Sequence, residues 1–244
     1  ITLLWICALH FVCAASSAAP LFRITLIDGP LINGLAGEAV ALNDRGQVVG
    51  VSNAVKDGPK IYPYLWENGV FTAIDGKVSG RGMATPTAIN NLGQVVGLGG
   101  GAGLLTHGLL WDDGVLTDLG DLPGGIDSSF AYDVNDLAQV VGSSAGPFAT
   151  AFVWKNDVIT ALPDLPGGES VGEAYGINDL GQVVGFSHAD TGGRATLWDN
   201  GVVTDLGDIP GGRDFSIARD INNRGQVVGS SITDGNVRRA FLWG

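Results

Sequence analysis

Cysteine is nearly absent. The 244 residues hold two, Cys7 and Cys13, both close to the N-terminus. The rest of the chain therefore offers no disulfide, no thiolate metal site and no cysteine nucleophile. Basic residues are also scarce, with 13 Lys and Arg against 25 Asp and Glu and a net charge of −12. That balance excludes a nonspecific phosphate-binding surface, so no nucleic-acid partner is expected. Glycine is abundant, at 39 residues, but lacks a Gly-X-Y period, which excludes collagen. A hydrophobic fraction of 45% excludes a wholly disordered chain. Beyond the N-terminal segment no amphipathic helical pattern reaches ten residues, so an all-β class is expected.

The segment from Ile1 to Phe22 contains no Lys, Arg, Asp or Glu. Its apolar run to Cys13 is followed by the small residues Ala14 to Ala19. This order is that of a secretory signal, expected over residues 1–19 with cleavage after Ala15 or Ala18. The basic start and initiator Met of such a signal are missing, and their place is expected to lie upstream. A retained membrane anchor is the competing reading, because the run is nearly long enough to span. Cys13 lacks the small residues before it that a lipoprotein signal needs. Export to the periplasm or exterior is the expectation, with no membrane insertion after cleavage.

Self-comparison shows five copies of one pattern. Leu42-Asn-Asp-Arg-Gly-Gln-Val-Val-Gly50 returns at 89–97, 134–142, 177–185 and 221–229. The leading asparagines are Asn43, Asn90, Asn135, Asn178 and Asn222. A tryptophan follows each copy, at Trp66, Trp111, Trp154, Trp198 and Trp243. Each unit reads as four short strands. The first ends at Asn, and the second is Gln-Val-Val-Gly after a glycine turn. The third is an aromatic run ending in Trp. A tight turn such as Asp199-Asn-Gly201 leads to the fourth, and Asp-Leu/Ile-Pro-Gly-Gly loops return the chain.

Four strands in about 44 residues match the size of a propeller blade. Residues 22–28 align with a fourth strand, and the chain stops after a third. Counting them gives twenty strands, or five blades. The expected fold is a five-bladed β-propeller over residues 22–244, closed by the N-terminal strand and monomeric. Closure would remove exposed sheet edges.

The pattern resembles the bacterial HAF family of extracellular repeats, named for a His-Ala-Phe before its Trp. The match covers about residues 22–243 and rests on Ile-Asn-x-x-Gly-Gln-Val-Val-Gly, Ala-Phe-Leu-Trp and Asp-Leu-Pro-Gly-Gly. The resemblance implies an exported repeat protein and no particular activity. The chain departs from it at the His, where the five units hold Tyr62, His107, Thr150, Arg194 and Arg239.

Residues that recur in every unit are expected to serve the blade, and residues that differ are free to serve a ligand. The first strand should line the channel. Three residues before each Asn stand Val40, Thr87, Tyr132, Tyr175 and Arg219. Five before stand Glu38, Thr85, Phe130, Glu173 and Ile217, and two before include Asp133 and Asp220. The candidate binding residues are Glu38, Tyr132, Asp133, Glu173, Tyr175, Arg219 and Asp220. Tyrosines supply rigid area with a polar tip for a sugar ring or a peptide side chain. Packing between blades is the competing role for them. The expected function is a binding or scaffold module for carbohydrate or protein on the face carrying the loops between strands two and three.

The alternative is a glycoside hydrolase in which, of Glu38 and Glu173 across the channel, one acts as acid and the other as base or nucleophile. No cofactor motif is present. No metal set is expected either, because His107 and His188 are single residues in different units and no Asp-x-Asp-x-Asp-Gly loop occurs. Gly142-Ser-Ser-Ala-Gly146 fits a nucleophile elbow only in spelling, since no helix follows.

Overall fold

The computed structural model describes residues 37–244 apart from 55–59, 102, 169–170 and 191, together with Thr25 and Ile27. The expected signal, and the closing strand apart from those two positions, lie outside the described residues. Blade one is β1 (Gly37–Leu42), β2 (Val48–Ala54), β3 (Lys60–Glu67) and β4 (Val70–Ala73). Blade two is β5 (Gly82–Ile89), β6 (Val95–Gly101), β7 (Leu104–Asp112) and β8 (Val115–Asp118). Blade three is β9 (Ser129–Val134), β10 (Val140–Ser144), β11 (Thr150–Lys155) and β12 (Val158–Ala161). Blade four is β13 (Gly172–Ile177), β14 (Val183–Ala189), β15 (Gly192–Asp199) and β16 (Val202–Asp205). Blade five has three described strands, β17 (Ser216–Ile221), β18 (Val227–Thr233) and β19 (Val237–Trp243). Every blade is an antiparallel meander in chain order.

The two landmarks of the repeat explain each other. The first Val of Gln-Val-Val-Gly pairs with the Trp in all five blades, as in Val140 with Trp154. Successive residues of a strand face opposite sides of its sheet. The second Val therefore faces the next blade. Val49, Val96, Val141 and Val184 each enter the apolar cluster at that junction, fully buried. Among the described residues the core is thus four inter-blade seams, and the valine pair is apolar because both sheet faces are covered. Val228, the counterpart in blade five, is 46% exposed.

The recurrent asparagine does two jobs. Its Oδ1 accepts backbone N–H groups of its own turn, as Asn135 does from Leu137 and Gln139. Its Nδ2 donates to the carbonyl of the asparagine one blade on. Asn43 reaches Asn90, Asn90 reaches Asn135, Asn135 reaches Asn178 and Asn178 reaches Asn222, at 2.8–3.0 Å. A second row runs beside it. The amides of Asp44, Asn91, Asp136 and Asp179 each donate to the Oδ1 of the next blade's equivalent residue. Both rows stop at blade five, where among the described residues Asn222 Nδ2 donates to Gln226. The first strands pack against one another from blade one through blade five. Among the described residues no comparable packing joins blade five to blade one. Leu42 and Leu242, at the two ends of the arc, are about 70% exposed.

The turn glycines behave as expected. Gly46, Gly93, Gly181 and Gly225 have φ between 75° and 89°, and Ala138 in the same position has φ 55°. The glycine that ends Gln-Val-Val-Gly has another reason. A methyl group there would collide with the backbone carbonyl of the first strand, at Glu38, Thr85, Phe130, Glu173 or Ile217. Each first strand bulges opposite this glycine, as the register shift between Ala174 and Gly176 shows.

Candidate functional site

The bulge falls on the residue three before each Asn. Val40, Thr87, Tyr132, Tyr175 and Arg219 are the unpaired extra residues of their strands. A bulge re-aims a side chain out of the strict alternation. One backbone device, repeated five times, therefore presents five different side chains. Thr87 uses its hydroxyl to tie β5 to the carbonyl of Ala131 at 2.9 Å. The next three form a continuous row.

Tyr132 and Tyr175 lie with ring centroids 5.4 Å apart, and Arg219 places its guanidinium carbon 4.7 Å from the centre of the Tyr175 ring. Phe186 stacks behind Tyr175 at 6.2 Å. The Tyr132 hydroxyl donates to Glu173 Oε2 at 3.0 Å. Burial pushes both phenols up, Tyr175 to about 12, and the adjacent Glu173 charge adds to the effect. Both tyrosines therefore stay neutral donors at physiological pH. The row combines two stacking surfaces, one guanidinium and one carboxylate, and Arg219 is exposed.

Asp133 sits one residue beyond the row and braces it. Its Oδ1 accepts from Val134 N at 2.8 Å, and its Oδ2 accepts from Ile177 N of the next blade at 2.9 Å. Burial raises its pKa from 3.8 to about 6, despite these two donors, with the charges of Asp220 and Asp179 adding. Between those two values the folded protein holds this proton more tightly than the unfolded chain. The contribution of Asp133 to stability is thus complete below about pH 4 and lost as pH rises through 6. Asp133→Asn is expected to remove that slope. The gap in unfolding free energy between parent and variant should change by about 2–3 kcal/mol from pH 4 to 7. Urea unfolding at several pH values measures it, and a constant gap would contradict the assignment.

Asp220 is exposed and accepts from Ile221 N. Glu38 is exposed on β1, where its carbonyl accepts from Tyr64 OH at 3.4 Å. The structure thus brings together Tyr132, Glu173, Tyr175 and Arg219, with Asp133 beneath them. It leaves Glu38 on another blade, and β1 does not pack beside β13.

The loops between strands two and three are tighter than the sequence suggests, because the strands run on into them. Blade three keeps residues 145–149 as its loop. A cavity of 390 Å³ lies between that loop and the turn Leu122–Gly125. A counterpart of 440 Å³ lies two blades on, between 211–213 and 233–236. Ser144 is not an elbow nucleophile. It is buried on β10, and its Oγ accepts from Leu122 N at 2.9 Å. Ser187 and Ser231 hold Leu165 and Ile209 in the same way. The sequence reading missed these serine clamps, although their regular spacing was a signal. It also missed Arg81, which is buried and pairs with Asp118 and Asp127. Asp118 and Asp205 accept from Gly120 and Gly207 as local turn residues should.

No protein-family model matches the sequence, and no curated protein matches it. Solved structures do. The β-propeller domain of the Trilobed protease from Pyrococcus furiosus aligns with a TM-score of 0.55 at 12% identity, over 85% of this chain and 66% of that one. A puromycin-hydrolyzing peptidase from Mycobacterium tuberculosis aligns with a TM-score of 0.54 at 14% identity, over 86% of this chain and 35% of that one. TolB from Acinetobacter baumannii gives 0.49 at 15% identity, over 86% and 55% respectively. The chain therefore spans between about a third and two thirds of the length of these structures. At such identities the likeness concerns architecture alone, and it agrees with the blade-by-blade description: the chain has a β-propeller fold.

Proposed function

We propose that the chain is a binding or scaffold module, and that the row Tyr132–Tyr175–Arg219 with Glu173 contacts its ligand, a carbohydrate or an extracellular protein. The observation that carries this reading is the bulge. Its backbone form is the same in all five blades, while the residue it presents differs in each. A position with a fixed backbone and a free side chain is where specificity can vary without cost to the fold. Aromatic faces beside a guanidinium suit a sugar ring or a peptide side chain. The likeness of the repeat to HAF proteins and the signal-like N-terminus support export to the periplasm or exterior. Among the described residues blade five has three strands, which supports closure of a monomeric ring by residues 22–28 pairing along β19. Closure would offer Asn222 Nδ2 the carbonyl of Asn43, and the amide of Asn223 the carboxylate of Asp44.

Binding is tested on a glycan array and a panel of extracellular proteins. Tyr175→Ala should weaken binding at least about tenfold, the loss of one stacking contact. Its melting temperature should stay within about 4 °C of the parent. Unchanged binding would contradict the reading, as would turnover of glycoside substrates that Glu173→Gln abolishes.

A further inference from the structure

The position of the HAF histidine holds His107 in blade two and Arg194 in blade four, and the repeat sets three aspartates near each. In blade four Arg194 reaches Asp208 at 2.7 Å, Asp214 at 3.6 Å and Asp205 at 4.0 Å. The repeat places Asp121, Asp127 and Asp118 at the same three positions in blade two. His107 stands there in place of the arginine, 4% exposed. Its Nδ1 lies 2.6 Å from Asp118 Oδ1, and its Nε2 lies 3.0 Å from Asp127 Oδ1. The imidazole is shorter than a guanidinium. It makes no hydrogen bond to Asp121, yet ligand atoms of His107, Asp121 and Asp127 all lie within 4.8 Å of one another.

Both ring nitrogens face carboxylate oxygens, but a neutral imidazole carries one ring proton. Asp118 has the shorter contact. It is fixed by Gly120 N at 3.0 Å and by Arg81 Nη1 on its other oxygen. The proton on Nδ1 accordingly goes to Asp118, and Nε2 turns a lone pair toward Asp127. A carboxylate behind one nitrogen and a lone pair on the other is how metal-binding histidines are oriented. Arg81 occupies Oδ2 of Asp127, so Oδ1 remains for the ion. The 3.0 Å between Nε2 and Oδ1 is close to the ligand–ligand spacing of about 3.3 Å around a tetrahedral zinc.

We propose that His107 Nε2, Asp121 and Asp127 bind a divalent transition-metal ion of the zinc type, on the loop side of blade two, in the place that the Arg194 guanidinium fills in blade four. Imidazole with carboxylate suits zinc. Asp127, whose side chain is 62% exposed, opens the site to solvent. Asp118 is a positioning residue.

The test is calorimetric titration of the chelator-treated full chain with zinc chloride, with melting temperatures measured in parallel. One ion per chain is expected, with a dissociation constant on the order of micromolar and a melting temperature that rises with zinc. Asp121→Asn removes a ligand that makes no hydrogen bond within the fold. It should weaken binding by at least about tenfold without lowering the zinc-free melting temperature. His107→Arg should supply the blade-four cation, abolishing zinc binding while the zinc-free protein melts no lower. No saturable binding below about millimolar would overturn the proposal. Binding undiminished by Asp121→Asn would place the ion elsewhere and overturn it equally.

Discussion

Asn135→Ala should destabilise the protein by about 3 kcal/mol. The side chain makes four hydrogen bonds while only 3% exposed. Nδ2 donates to Gln139 Oε1 at 2.8 Å and to the Asn178 carbonyl at 3.0 Å. Oδ1 accepts from Leu137 N and Gln139 N. Alanine removes all four and leaves buried partners without a counterpart, each worth about 1 kcal/mol net or more. For a domain of this size the melting temperature should fall on the order of 10 °C. The effect is large because one residue closes its own turn and fastens the next blade. Calorimetry measures it. A fall of under about 3 °C would mean that the asparagine row follows the fold without holding it.

Gly185→Ala should cost a similar amount, about 3 kcal/mol, for a steric reason. The added methyl would run into the Glu173 carbonyl and lie 2.9 Å from Ala174 Cα. Both obstacles are backbone, locked by the pairing of Ala174 with Gly185. Gly181→Ala is the control. Gly181 has φ 79°, but the space around it is open, with Gln139 Oε1 at 3.5 Å. Blade three already carries Ala138 at that position. The control should cost about 1 kcal/mol. Denaturant unfolding of both variants separates crowding from dihedral strain, and equal costs would contradict the distinction. Gly185→Ala should also disturb the bulge that presents Tyr175, so it should weaken ligand binding as well.

The blades were legible because their residues repeat. Asn, Val-Val-Gly and Trp recur at intervals of 43–47 residues, and they pair in the same register in every sheet. The bulge was not legible. A strand read as strict alternation sends Tyr132 and Asp133 to opposite faces, and nothing in Ala-Tyr-Asp-Val announces an extra residue. The glycine opposite it was a signal that looked like a turn residue. The asparagine row was hidden for a different reason. A hydrogen bond between residues 43–47 apart exists only once the blades stand side by side. The carboxylates around His107 come from a strand end and a loop in the following sequence, so a histidine weighed alone showed too few ligands. Glu38 and Glu173 were grouped by equal spacing, but equivalent residues of different blades share a depth and not a neighbourhood.

The ring itself is tested most directly by amide hydrogen exchange over residues 22–28 and β19. If the N-terminal segment completes blade five, amides in 22–28 and those on the outer side of β19 should exchange as slowly as the fourth strands β4, β8, β12 and β16, because each would be held in a ladder. Exchange at the rate of an unstructured peptide in both stretches would contradict closure, leave blade five with an open edge, and end the account of a channel lined by the bulged residues.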